Sequence, residues 1–151
     1  MDEENKIFQD TVIGFRELRN NISEVFEGVI HNYRIVSSTN KKKRHSESAV
    51  ILAAKLLDGI LYAYTFNPVV QRDTQTGLQK ITLNEIDVYG SGLTKDDAAT
   101  NLLNAVINST VEYFNDIDLN MRIYQQKIKL PYYLKIKQCK TKEELKDLLS
   151  L

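Results

Sequence analysis

The sequence predicts an α+β protein made of two small domains. Residues 10–61 follow the order strand, helix, strand, strand, helix, because helical and β-like apolar spacings alternate there. Residues 62–116 instead show three short alternating runs followed by one long helical pattern. The change of pattern sets the predicted domains at 1–61 and 62–151. A chain of 151 residues fits either one ordinary domain or two very small domains that share an interface.

The first predicted domain is built around one amphipathic helix. From Phe15 to Ile30 the apolar residues recur at helical spacing, which predicts a helix that faces the core. Those apolar positions are Phe15, Leu18, Ile22, Val25, Phe26, Val29 and Ile30. The other predicted elements are a β-like run at 10–15, strands at 33–38 and 49–54, and a helix at 55–61. The two strands flank the polar, basic loop TNKKKRHSES, which predicts a hairpin.

The second predicted domain begins with a hairpin and ends in helices. Its predicted elements are strands at 62–70, 78–83 and 86–92, a helix from Thr94 to about Asn115, and helical segments at 121–130, 131–139 and 141–151, the second of which starts at Pro131. Thr94 is the expected N-cap, and Thr141 with Glu144 has the spacing of a capping box. The long helix is expected to bury Ala98, Leu102, Leu103, Val106, Val111 and Phe114.

Composition limits the possible classes of protein. A single cysteine excludes an internal disulfide framework and a cysteine-based zinc site. The opening MDEEN is acidic where a secretory signal is basic, and no apolar run approaches the roughly 18 residues that span a bilayer. We therefore expect a cytoplasmic protein without a membrane partner.

Charge is unevenly distributed although the net charge is zero. Residues 1–60 carry nine basic and nine acidic side chains, residues 61–120 carry three and eight, and residues 121–151 carry eight and three. Such segregation predicts either different partners for different segments or a basic tail folded over the acidic middle. Nucleic-acid binding would have to rest on a local basic patch.

Motifs for catalysis or metal binding are weak. The glycines of YGSGLT lack the rest of a nucleotide-binding fingerprint, and His31 and His45 have no ligands at metal spacing. Cys139 has lysines nearby that would lower its pKa, but a partly buried structural thiol fits better. We predict no catalytic residue, metal or cofactor. Asp73, Glu85 and Asp87 are candidates for the carboxylate cluster that a metal-dependent nuclease would need. The same three residues are also typical of solvated turns.

Two basic features are candidate DNA contacts. Lys41, Lys42, Lys43 and Arg44 form a run at the predicted hairpin tip, either a solvated loop or a phosphate-contacting finger. On a helical wheel Arg19 falls beside Phe26 and Ile30 at the edge of the apolar stripe, whereas Arg16 and Asn20 point further out. By geometry alone, Arg19 would lay its aliphatic stem over the core.

The stretch GFRELRNNISEVFEGVIHNYRIVSS, with AVILAAKLL after it, resembles the N-terminal domain of Phd/YefM-type antitoxins. The resemblance covers residues 10–61, and its helix-start motif falls on Phe15, Glu17, Arg19, Asn21 and Ile22. It implies a homodimer in which Arg19 faces operator DNA, with Arg16 and Asn20 as neighbours. The family's tight turn between the strands is replaced here by TNKKKRHSES, and its toxin-wrapping tail by a folded second half.

The second half looks like a HicB-type antitoxin domain, a βββα layer that binds a toxin. The resemblance covers residues 62–116, where YGSGLTKDDA matches the family's strand-to-helix motif at Gly92, Thr94, Asp97 and Ala98. The usual Pro-Gly before the third strand is absent.

Together the two resemblances predict the antitoxin of a type II toxin–antitoxin pair. It would be a homodimer that binds a cognate toxin stoichiometrically and represses its own operon by binding operator DNA. The alternative is a non-enzymatic ligand-sensing or scaffold protein that uses the same folds. The nuclease built on Asp73, Glu85 and Asp87 is a third possibility.

Overall fold

The computed structural model describes residues 12–40 and 47–151. The chain divides into two compact units between Ile60 and Leu61. The boundary lies one residue before the one expected from sequence, and each unit is described by itself.

Unit 1 is a three-stranded sheet with helices. Its described elements are β1 (Val12–Gly14), α1 (Phe15–Asn20), α2 (Ile22–Asn32), β2 (Val36–Asn40), β3 (Glu47–Ile51) and α3 (Ala54–Leu61), whose last residue belongs to unit 2. The sheet order is β1-β2-β3, with β1 parallel and β3 antiparallel to β2. The register places Val12 beside Ser37 and Ser38 beside Ala49.

The predicted single helix is two helices. The break lies at Asn21, whose φ of −121° and ψ of 28° leave the helical region. The second helix ends where Tyr33 takes a left-handed conformation, φ 52°, and the Arg34 amide donates 3.2 Å to the Gly28 carbonyl. Since Tyr33 belongs to this helix end, β2 starts at Val36 and not at the predicted residue 33.

The core of unit 1 is small. Val29, Val36 and Ala53 are its buried apolar residues in the part of the chain that the structure describes. Ile13, Val25, Ile51 and Leu56 pack against them. Four predicted core residues are instead exposed: Phe15, Ile22, Phe26 and Ile30, at 58%, 52%, 57% and 39%. The sheet is short and buries only one narrow stripe of the helices, so the rest of the apolar pattern faces outward.

Unit 2 is an antiparallel meander covered by one long helix. Its described elements are β4 (Val69–Arg72), β5 (Gln79–Leu83), β6 (Val88–Gly92), α4 (Lys95–Asn115), α5 (Ile117–Asn120), α6 (Tyr124–Lys127), α7 (Leu130–Gln138) and α8 (Lys142–Leu148). The sheet order is β4-β5-β6, and α4 packs on β5 and β6. Ile81 and Leu83, both fully buried, form part of the core with α4.

The predicted strand at 62–70 is wrong for most of its length, because β4 begins only at Val69. Two of the three aromatic residues before it, Tyr64 and Phe66, pack on a helix. The rings of Tyr64 and Phe66 lie 5.5 and 5.3 Å from that of Tyr132, in edge-to-face contacts. The alternating aromatics therefore indicated burial correctly for Phe66 and partly for Tyr64 but not for Tyr62, which is 83% exposed, and they did not mark a strand.

Glycines let the sheet approach α4 closely. A Cβ on Gly90 would lie 2.2 Å from the Leu102 amide nitrogen and 2.4 Å from the Ala98 carbonyl oxygen. A Cβ on Gly92 would lie 2.5 Å from the Asp97 Cβ. The two glycines of YGSGLT thus serve helix–sheet packing as well as the connection between them.

Local capping fixes the start of α4. The Thr94 hydroxyl accepts from the Asp97 amide at 3.1 Å, and the Asp97 carboxylate accepts from the Thr94 amide at 3.2 Å. The helix buries Ala98, Leu102, Val106 and Tyr113. The predicted core residue Val111 is 55% exposed, because it lies well round the helix from Val106. Leu103 and Phe114 are half-buried.

The C-terminal helices complete the core of unit 2 with Tyr133, Ile136, Leu145 and Leu149. The predicted helix at 121–130 is only one turn, Tyr124–Lys127. Thr141 caps α8 through the Glu144 amide at 3.1 Å, but the Glu144 carboxylate accepts from Lys140 and not from Thr141. No helix in residues 12–40 and 47–151 is long and apolar enough to cross a bilayer.

The basic tail does contact the acidic middle within unit 2. Lys129 Nζ lies 2.7 Å from the Asp87 carboxylate, and Lys135 Nζ donates 2.7 Å to the Tyr64 carbonyl.

Candidate DNA and protein interfaces

The three predicted DNA contacts of the helix start lie together on α1. Gly14 ends β1 in an extended conformation and α1 begins at the next residue, without a side-chain cap. Arg16, Arg19 and Asn20 are all exposed, and no residue of α1 is buried. Their i, i+3, i+4 spacing puts them on one face of the helix. We call these three residues the α1 polar face.

The wheel that placed Arg19 beside Phe26 and Ile30 assumed one continuous helix. Because the helix is interrupted at Asn21, that angular relation does not hold. Arg19 is exposed, and no residue of α1 is buried. The side chain is accessible to a partner.

The second basic feature falls outside the described residues. Lys41, Lys42, Lys43 and Arg44 belong to residues 41–46, and the flanking strands pair up to Asn40 and Glu47. Their role in contacting phosphate remains a prediction.

An apolar stripe runs along α2. Ile22, Phe26 and Ile30 follow i, i+4, i+8 spacing and are all exposed, and we call them the α2 stripe. Exposed apolar patches of this kind mark interaction surfaces. Sequence periodicity found these residues but assigned them to the core, because the same spacing serves a core and a partner equally well.

The three acidic residues of the nuclease hypothesis have separate structural roles. Asp87 pairs with Lys129. One oxygen of Glu85 accepts from the Asn67 amide at 2.8 Å and from its side chain at 3.2 Å. Asp73 accepts from two amides of the β4–β5 turn. Within residues 12–40 and 47–151 no three His, Cys, Asp or Glu side chains come together as metal ligands.

The hydrogen bonds of the β4–β5 turn shift the pKa of the Asp73 carboxylate. The Thr76 and Gln75 amides donate to it at 3.1 and 2.8 Å, and these bonds lower its pKa from the usual 3.8. A lowered folded-state pKa means that the carboxylate supports the turn above pH 3.8 and that this support is lost as the pH falls through the folded value.

We therefore expect the Gln75 and Thr76 amide proton shifts to titrate together, with a midpoint below pH 3.8. Proton–nitrogen NMR spectra of the full chain would measure this. In Asp73→Asn the same titration should vanish, and a midpoint above 3.8 would contradict the hydrogen bonding.

Cys139 is a structural thiol in this fold. Its Sγ lies 3.7 Å from the Lys135 carbonyl, to which it donates. Burial raises its pKa, and the charge of Glu144 raises it further. The neighbouring lysines therefore do not make it an activated nucleophile.

Comparison with known proteins assigns the chain to a class. A family model described as "Antitoxin of toxin-antitoxin, RelE / RelB, TA system" matches residues 10–151, which span both units. The chain belongs to this antitoxin family. A comparison with curated protein sequences gave no match.

A solved structure shares the fold. It is the crystal structure of an antitoxin part of a proposed toxin/antitoxin system from Syntrophomonas wolfei subsp. wolfei, with a TM-score of 0.66 and 20% sequence identity. The match covers 91% of this chain and 94% of that chain. The α+β architecture of both units thus recurs in another protein.

Proposed function

We propose that this antitoxin belongs to a type II pair, binds a protein toxin stoichiometrically in the cytoplasm and represses its own operon. The observation that carries the proposal is the exposed α1 polar face in a chain of an antitoxin family. The protein acts by binding, without turnover. Unit 1 would be the Phd/YefM-like half and unit 2 the HicB-like half.

The α1 polar face supports DNA binding. Arginine is the side chain that most often reads guanine in the major groove, and asparagine pairs with adenine. Arg16, Arg19 and Asn20 stand on a short exposed helix that can enter a groove without disturbing a core. Lys41–Arg44 would add phosphate contacts and make the affinity strongly dependent on salt.

The α2 stripe supports a homodimer. A two-fold interface is self-complementary, so one apolar stripe can bury its counterpart in a second copy. Dimerisation would bring two α1 polar faces to the two halves of a palindromic operator. A solution mass of two chains would agree with this arrangement, and a monomer at micromolar concentration would contradict it.

Co-expression with the small neighbouring gene tests the toxin partner. We expect that gene alone to stop growth, and this chain to restore growth and co-purify as a complex of fixed stoichiometry. A catalytic antagonist would restore growth at substoichiometric levels and without a stable complex. Absence of both rescue and complex would contradict the proposed function.

A further inference from the structure

Unit 2 carries a groove of about 290 Å³ between α4, α7 and α8. Its lining residues are Ile107, Thr110, Val111, Ile136, Lys137, Cys139, Lys140, Thr141, Lys142 and Leu145. The volume is just below the range of sites for small organic ligands and suits one or two apolar side chains.

The floor of the groove is apolar and offers little to a polar ligand. Val111 is 55% exposed there, although the sequence pattern of α4 predicted it to be buried. The Thr110 hydroxyl donates 2.7 Å to the Val106 carbonyl, and the Thr141 hydroxyl already accepts from Glu144. The Cys139 thiol already donates its hydrogen bond to the Lys135 carbonyl. Shape and apolar contact are what this floor can recognise.

The rim is positively charged. Lys137, Lys140 and Lys142 line the groove, all three are exposed, and no acidic side chain is among the lining residues. Lys137 is held over the Phe114 ring, its Nζ 4.0 Å from the centroid. This fixes one cation at the rim. The Glu144 carboxylate lies beside this rim, where it accepts from the Lys140 amide at 2.8 Å, so the rim is net positive with three lysines against one carboxylate. An apolar floor with a net positive rim complements a segment that has apolar anchors flanked by carboxylates.

We infer that this groove docks a segment of a partner protein that carries an apolar anchor flanked by acidic residues. The inference rests on the proposed function, in which that partner is the toxin, and adds the surface and the chemistry of the contact. The anchor would lie against Val111, and its flanking carboxylates would meet Lys140 and Lys142.

The single cysteine of the chain reports occupancy of the groove. The probe is the co-purified product of the adjacent gene, bound to the full-length protein. Alkylation of Cys139 by a maleimide at pH 8 should slow about tenfold or more in the complex, because the thiol lines the occupied groove. Free protein at the same concentration is the reference.

Two substitutions test the energetics. Val111→Asp should weaken the complex about 30-fold, as expected for loss of a central anchor. Leu119→Asp is its matched control, since Leu119 is 57% exposed and lies outside the groove lining. Lys140→Glu should weaken the complex about fivefold at low salt and less at high salt, whereas Lys127→Glu, outside the groove, should not. Circular dichroism would verify that all four variants fold.

The outcomes separate the two proposals. The inference about the groove would be overturned if a stable complex formed in which Cys139 alkylation was unchanged and Val111→Asp and Leu119→Asp bound with equal affinity. The proposed function would still stand in that case. Absence of any complex would overturn both. Protection of Cys139 in the free protein that grows with its concentration would assign the groove to a second copy of this chain and overturn the inference.

Discussion

Arg19→Ala is expected to weaken the proposed operator binding of the full-length protein severely while leaving its fold intact. Arg19 is exposed on α1, which has no buried residue, so its loss should change stability by less than about 0.5 kcal/mol. A bidentate contact to a base is worth about 1–3 kcal/mol. A homodimer loses two such contacts, so the affinity should fall by about 30-fold to 10⁴-fold.

Gel retardation of the DNA upstream of the gene, at fixed salt, would measure this. Arg122→Ala is the matched control, because Arg122 is also exposed but lies in unit 2. Changing Lys42 and Lys43 to alanine should instead weaken binding to all sequences alike and reduce its dependence on salt. Unchanged retardation by Arg19→Ala would remove Arg19 from the DNA contacts.

What could be predicted from the sequence depends on how local each signal is. Thr94 and Thr141 were recognised as caps because a cap involves only residues within one turn. The strand-to-helix step at YGSGLT and the long helix after it were also found where the structure has them. These features need no knowledge of the rest of the fold.

Features that depend on tertiary packing were harder to predict from the sequence. Periodicity found Phe26 and Val111 on helices but could not tell a core neighbour from open solvent, so both were wrongly placed in a core. The alternation at 62–70 was taken for a strand, although Tyr64 and Phe66 pack on Tyr132. The break at Asn21 also escaped detection, because asparagine is tolerated within a helix as well as at its ends. The errors at Phe26, Val111 and 62–70 depend on which surfaces the rest of the chain covers, and periodicity along one segment does not show this.

The sequence also did not predict the close approach of Gly90 on β6 to the backbone of α4. This approach gives the second prediction of a large effect. Gly90→Ala is expected to destabilise unit 2 by about 3 kcal/mol or more, because the new Cβ meets backbone atoms that cannot move as a side chain can. For a unit of this size the melting temperature should fall by about 12–24 °C. The chain has no tryptophan, so near-ultraviolet circular dichroism of its tyrosines would follow the unfolding.

Ser91→Ala is the matched control for this substitution. Ser91 lies between the two glycines on β6, where it pairs with Lys80 of β5, and its backbone carbonyl accepts from the Asn101 side chain at 2.8 Å, a bond that Ser91→Ala keeps. Its replacement should change stability by less than about 0.5 kcal/mol. The contact at Gly90 involves the Leu102 amide and the Ala98 carbonyl, so truncating the Leu102 side chain should not rescue Gly90→Ala. The described backbone approach of the sheet to α4 would be contradicted if Gly90→Ala had the same melting temperature as Ser91→Ala. It would also be contradicted if adding Leu102→Ala raised the melting temperature of Gly90→Ala.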